Sequence, residues 1–193
     1  MNLPNKLTVA RIIATPIFMF FMMWEFKYNY LVALVIFIFA SITDWLDGKI
    51  ARSRNLVTDF GKFLDPIADK MLTTAALLGF IAKGVGAGIT WIVFIVLFRE
   101  FLIASLRLVA ASSNVKKVVA ANIWGKLKTV SQMVAIIVAL AVCQYKVLYP
   151  ANLALSNALD ISVNVLLWAS AVLCVISGII YLYDNKDFVD PTK

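Results

Sequence analysis

Six stretches of this 193-residue chain stay apolar for about the length that crosses a bilayer, and that feature removes most folds from consideration. About 20 apolar residues span the hydrocarbon as a helix. The runs fall at Val9 to Trp24, Leu31 to Asp47, Leu64 to Ala82, Ile89 to Ala110, Val118 to Val142 and Ile161 to Tyr183. In lipid a backbone must satisfy its own N–H and C=O groups, and a bundle of helices does so. The expectation is an all-α polytopic membrane protein with six transmembrane helices, forming a single membrane domain over residues 1–193. With 62% of residues hydrophobic, no stretch remains for a soluble domain of any size.

The first run is short, and Lys6 and Arg11 stand among apolar neighbours in MNLPNKLTVARIIA. This predicts a short N-terminal interfacial amphipathic segment ahead of the span, with Pro16 as a point of bending. A cleaved signal peptide is disfavoured because no small-residue cleavage site follows the apolar run.

Charge alternates between the connections. Lys27, Lys83 and Lys146 stand nearly alone in the first, third and fifth, whereas Lys49, Arg52, Arg54 and Lys62 fill the second. Lys116, Lys117, Lys126 and Lys128 fill or flank the fourth, the first two reading as ordinary topology-setting residues. The basic side is expected in the cytoplasm, and an even number of spans then puts both termini inside, with the polar tail after Tyr183. The formal charge of +7 reads as topology plus attraction to lipid headgroups or phosphates. No arginine-rich stretch interleaved with aromatics points to nucleic acid. The chain has no histidine, which excludes His-based triads, zinc-type clusters and imidazole relays. Cys143 and Cys174 sit singly in apolar runs and read as small packing residues.

Against this background TDWLDGKIARSRNLVTDFGKFLDPIADK, Thr43 to Lys70, holds five of the eleven acidic residues. If the second helix continues to about Arg52, then Asp44, Asp47, Gly48 and Ala51 share one helical face. Gly61, Asp65 and Asp69 form a second stripe, and the short link SRNLVTDF lets the two helices pack as antiparallel neighbours. Thr58 is a fitting N-cap for the later helix, and Pro66 denies one backbone bond in its early turns. Four converging carboxylates need counter-charge, and oxygen ligands without His or Cys favour Mg²⁺, Mn²⁺ or Ca²⁺. Four carboxylates suffice to bridge two such ions, an arrangement suited to phosphoryl displacement. Gly48, Ala51 and Gly61 keep the walls low enough for a nucleotide diphosphate. The competing reading is a helix end dressed with charges that snorkel or pair with Lys49, Arg52, Lys62 and Lys70. Asp59 fits that reading, as an acid near a helix N-terminus.

The residues Asp44, Asp47-Gly48, Ala51-Arg52, Gly61, Asp65 and Asp69 reproduce D-x2-D-G-x2-A-R-x8-G-x3-D-x3-D. This resembles the signature of the CDP-alcohol phosphatidyltransferases. The resemblance implies a six-helix membrane enzyme, a homodimer, that moves a phosphatidyl group from CDP-diacylglycerol to an alcohol and releases CMP. It implies that Asp44, Asp47, Asp65 and Asp69 hold divalent cations, Mg²⁺ or Mn²⁺ and two in number, with Asp69 also the general base. Asp47, Gly48, Ala51, Arg52 and Gly61 would line the cytidine nucleotide. Outside the signature, NLPNKLTVAR, REFLIASLR from Arg99 to Arg107 and GKLKTVSQ from Gly125 to Gln132 are similar to the bacterial branch that uses glycerol 3-phosphate. That implies a bacterial cytoplasmic membrane and phosphatidylglycerophosphate as product.

The acceptor's phosphate asks for charge-assisted donors, and Arg107, Lys126 and Lys128 lie on the same expected cytoplasmic side as the aspartates. Thr8 and Arg11 either reach that headgroup site or anchor at the interface. Arg99 and Glu100 lie near the middle of an apolar span, where they either brace the bundle or extend the basic pocket. With no activated nucleophile in view, direct transfer is favoured over a covalent intermediate. The alternatives are a sister transferase taking inositol phosphate, serine or phosphatidylglycerol, and a divalent-cation transporter, whose site would lie nearer the midplane.

Overall fold

The computed structural model describes residues 2–53, 59–112 and 123–185. Among them are six α-helices and no strand: α1 (Leu3–Met23), α2 (Asn29–Ser53), α3 (Asp59–Lys83), α4 (Ile89–Ser112), α5 (Ile123–Leu148) and α6 (Leu153–Asp184). Arg54 to Thr58, with the N-cap expected at Thr58, and Lys116, Lys117 and Val118 lie outside the described residues.

α1 starts where Asn2 Oδ1 accepts the Asn5 N–H at 3.1 Å, and Pro4 in the first turn forfeits a bond that has no partner there anyway. The separate surface turn expected ahead of the first span is not seen, since α1 runs unbroken from Leu3 with Pro16 inside it. Its polar side, Asn5, Thr8, Arg11 and Thr15, is buried. α6 also begins earlier than expected, at Leu153 in place of Ile161, because Asn152 caps it by accepting the Leu155 N–H at 3.3 Å. At 32 residues it is about 48 Å long, well beyond the hydrocarbon thickness.

α1, α5 and α6 are long and apolar enough to cross a membrane, and the apolar part of α2, Asn29–Asp44, is shorter. Aromatic and aliphatic side chains, including Phe39, Trp91, Phe98 and Phe101, are exposed, an exterior suited to lipid. Inside, Phe18, Met22, Phe37, Phe80, Ile92, Ile136, Leu140 and Leu167 are buried as one apolar cluster. Lipid is as apolar as leucine, so the bundle depends on close packing more than on exclusion from water. Gly79 shows how close, for a Cβ there would run into Met22 Sδ.

α1 packs extensively on both α2 and α3, α5 on α6 and α2, and α4 on α6 and α3. Among the described residues α1 lies against both α2 and α3, and the side chains flanking the α2–α3 link, where direct antiparallel pairing is expected, lie largely outside them. The buried polar side of α1 brings a cation, Arg11, to Asp44 on α2.

Candidate active site

Antiparallel helices joined by short connections collect the ends of α2, α4 and α6 and the starts of α1, α3 and α5 on one side of the bundle. α2 carries Asp44, Asp47, Gly48, Ala51 and Arg52 through its last turns, and α3 carries Gly61, Asp65 and Asp69 through its first three. Both runs are helical, as the stripe argument required. The side chains of Asp47, Arg52, Asp65 and Asp69 lie outside the described residues, so their convergence rests on helix register. Asp44 is described: it forms an ion pair with Arg11, whose side chain is 2% exposed while that of Asp44 is 34% exposed. Thr8, one turn from Arg11, is buried. Arg11 therefore reaches the carboxylate end of α2.

Beside these helix ends a cleft of about 500 Å³ opens between α3, α4, α5 and α6. It is lined by Lys70, Thr73 and Thr74 from α3, Arg99, Glu100 and Arg107 from α4, Lys126, Lys128 and Gln132 from α5, and Ser177 and Tyr181 from α6. Thr73 lies one turn beyond Asp69 on the same helical face, so helix register puts the Asp69 position next to the cleft lining. The expected acceptor residues Arg107, Lys126 and Lys128 meet here, whereas Thr8 and Arg11 belong to the Asp44 side.

Glu100 organises the deep part. Its carboxylate accepts from Lys128 Nζ at 2.5 Å and Arg99 Nη1 at 3.0 Å, and it is also ion-paired with Lys70. Arg99 Nη2 donates to Ser177 Oγ at 2.7 Å. Gly178 makes room for that reach, since a Cβ there would stand 3.2 Å from Arg99 Cγ. Arg99 and Glu100 thus do both things the sequence left open, bracing α3, α4, α5 and α6 and lining the pocket. Nearer the mouth, Arg107 Nε donates to Tyr181 Oη at 3.4 Å with its guanidinium 5.9 Å from the ring centroid. Exposed Lys126 makes no ion pair among the described residues.

Lys70, Ser177 and Tyr181 were not anticipated as cleft residues. For α6 the signal was present: Ser170, Cys174, Ser177 and Tyr181 recur at helical spacing in an apolar run, and all four are buried. Lys70 carried no such signal, because its partner Glu100 is 30 residues away. No group of three or more Asp, Glu, Cys or His side chains stands together among the described residues, which exclude three of the four signature aspartates.

An apolar helical bundle with carboxylate-bearing helix ends beside a cation-lined cleft fits a membrane protein with its polar site at one end of the bundle. A family model described as CDP-alcohol phosphatidyltransferase matches residues 1–176, and the chain belongs to that family. It is 45% identical over 147 residues to the CDP-diacylglycerol--glycerol-3-phosphate 3-phosphatidyltransferase of Bacillus subtilis, covering 70% of this chain and 74% of that protein. To the protein of the same name from Rickettsia bellii it is 38% identical over 188 residues, 97% of either chain. A more divided likeness is to a cardiolipin synthase (CMP-forming) of Oryza sativa, 34% identical over 192 residues, 94% of this chain but 56% of that protein.

Proposed function

We propose that this chain transfers the phosphatidyl group of CDP-diacylglycerol to glycerol 3-phosphate, forming phosphatidylglycerophosphate and releasing CMP. The observation that carries the choice of acceptor is the cleft, where five cations face one carboxylate next to the α3 aspartate stripe. A neutral acceptor has no use for such a surround, and a phosphate monoester does. Both curated bacterial relatives described above carry the corresponding name.

In this reading all six helices span the membrane, the termini and the site face the cytoplasm, and the enzyme acts as a homodimer. Asp44, Asp47, Asp65 and Asp69 form an all-carboxylate donor set, which suits hard divalent ions such as Mg²⁺ or Mn²⁺. Asp44 fits that role, being exposed on one side while its cationic partner is buried. Two such ions, when bound, supply charge neutralisation for the diphosphate and the departing CMP. Arg107 and Lys126 bind the acceptor's phosphate and orient its primary hydroxyl. Asp69 removes the hydroxyl proton as the oxygen bonds to the lipid-side phosphorus, and the P–O bond to CMP breaks. Asp47, Gly48, Ala51, Arg52 and Gly61 form the nucleotide's seat along α2 and α3.

The test is CMP release by the purified protein with CDP-diacylglycerol, each divalent ion and each acceptor in turn, the lipid product being identified by mass. Dependence on glycerol 3-phosphate and a divalent ion is expected. Release with phosphatidylglycerol in its place would move the chain to the cardiolipin-forming side of the family.

A further inference from the structure

Three cations from three helices, Lys70, Arg99 and Lys128, converge on the single carboxylate of Glu100. The cluster is not a sealed brace. The Lys70 side chain is 42% exposed and Glu100 13% exposed, and both line the cleft. Glu100 is also the only acid in that lining among the described residues. Cations gathered this closely, with Arg99 and Lys128 largely out of solvent, need an anion, and a phosphate monoester presents the same hydrogen-bonding oxygens as a carboxylate with more charge.

We propose that Glu100 is an internal counter-anion for the acceptor site, holding Lys70 and Lys128 until an incoming phosphate takes them over. The inference rests on the reading that the acceptor carries a phosphate, and it adds a specific task for a residue outside the signature. The exchange conserves charge pairing: Glu100 keeps Arg99, its neighbour on α4, while the two ammonium groups turn to the phosphate. The product carries the same phosphate monoester as the acceptor. Return of Glu100 to Lys70 and Lys128 then speeds product departure, so the residue sets a balance between capture and release. A purely bracing Glu100 would support phosphate binding, and a counter-anion opposes it. The two roles differ in sign.

The experiment is a thermal-unfolding titration with inorganic phosphate on the purified chain in detergent, free of divalent ions and CDP-diacylglycerol, comparing wild type with Glu100→Gln. Without phosphate the variant is expected to unfold at lower temperature, its three cations having lost their anion. It should then gain more from phosphate than wild type does, with an affinity about tenfold tighter, the scale of one charge-assisted hydrogen bond. In turnover the same variant should show a lower KM for glycerol 3-phosphate together with a lower kcat. If Glu100→Gln does not fold, Glu100→Asp, which draws the charge one carbon back, should shift phosphate affinity in the same direction by less. A phosphate response no larger than that of wild type, or no response in any of the proteins, overturns the proposal. Because the titration uses no lipid substrate, failure of glycerol 3-phosphate to support CMP release would count against the acceptor reading alone.

Discussion

The two ends of the bundle hold their polar side chains in different ways. Where α1 turns into α2, α3 into α4 and α5 into α6, the less exposed polar side chains bond to backbone, and the ion pairs there, Lys83 with Glu25 and Lys146 with Asp160, each hold their acid at the surface. Gln144 accepts the Leu31 N–H at 2.8 Å and donates to the Lys27 carbonyl at 2.9 Å, satisfying an orphan donor in the first turn of α2. Asn164 Oδ1 accepts the Ala87 N–H at 2.6 Å while Trp168 Nε1 donates to the Ala87 carbonyl at 3.0 Å, which pins the α3–α4 connection to α6. At the opposite end charges meet charges: Arg11 with Asp44, and Lys70, Arg99 and Lys128 with Glu100. A bond to backbone is hard to exchange, since breaking it strands a peptide group. An ion pair between side chains can be traded for another ion of the same sign. One end is suited to staying closed, and the other, on the exchange proposed at Glu100, to changing partners.

Substitutions at the two ends should therefore separate activity from stability. The largest effect is expected from Asp69→Asn, which removes the proposed base: transfer should fall about 10²- to 10⁴-fold, the range for a general base, with the unfolding temperature nearly unchanged. CMP release and a melting curve on one preparation check both halves. Retained activity would remove Asp69 from the chemistry. At the closed end, Gln144→Leu should do the reverse, costing about 1–3 kcal/mol for the stranded peptide groups and leaving turnover per folded molecule intact. A fall in turnover without a fall in stability would show the two ends to be coupled. Smallest of all is Lys146→Ala, which breaks the 2.7 Å pair with Asp160 between two side chains each more than a third exposed. It should cost about 0–1 kcal/mol, and a larger loss would mean that the pair is shielded from water by the lipid interface.

How much of this was legible in the residues follows the same division. The helices were, including the two that carry the aspartates, because apolar length and a three-and-four spacing are local properties that helix geometry turns directly into a face. The start of α6 was not: Asp160 and its polar neighbours resemble a connection until Asn152 is seen capping the helix. The place of α1 against both α2 and α3 was hidden as well, since a short link between two helices favours their pairing and nothing local announces a third helix. Within the cleft, Arg107, Lys126 and Lys128 could be named from charge and side, but the hub at Glu100 joins α3, α4 and α5 across long separations. Single-sequence reading has no access to such pairs. It could say that two charges in an apolar span need partners, and not which.

The central claim is that cleft and aspartates form one site, the cations holding the acceptor while the carboxylates serve the transfer. The most direct measurement is the pair of KM values, for glycerol 3-phosphate and for CDP-diacylglycerol, in Lys126→Ala, a residue without an ion pair among the described residues. Removing one charge-assisted phosphate contact should raise the first about tenfold and leave the second and kcat within about twofold. A rise confined to CDP-diacylglycerol would contradict the account and assign the basic cleft to the lipid's diphosphate.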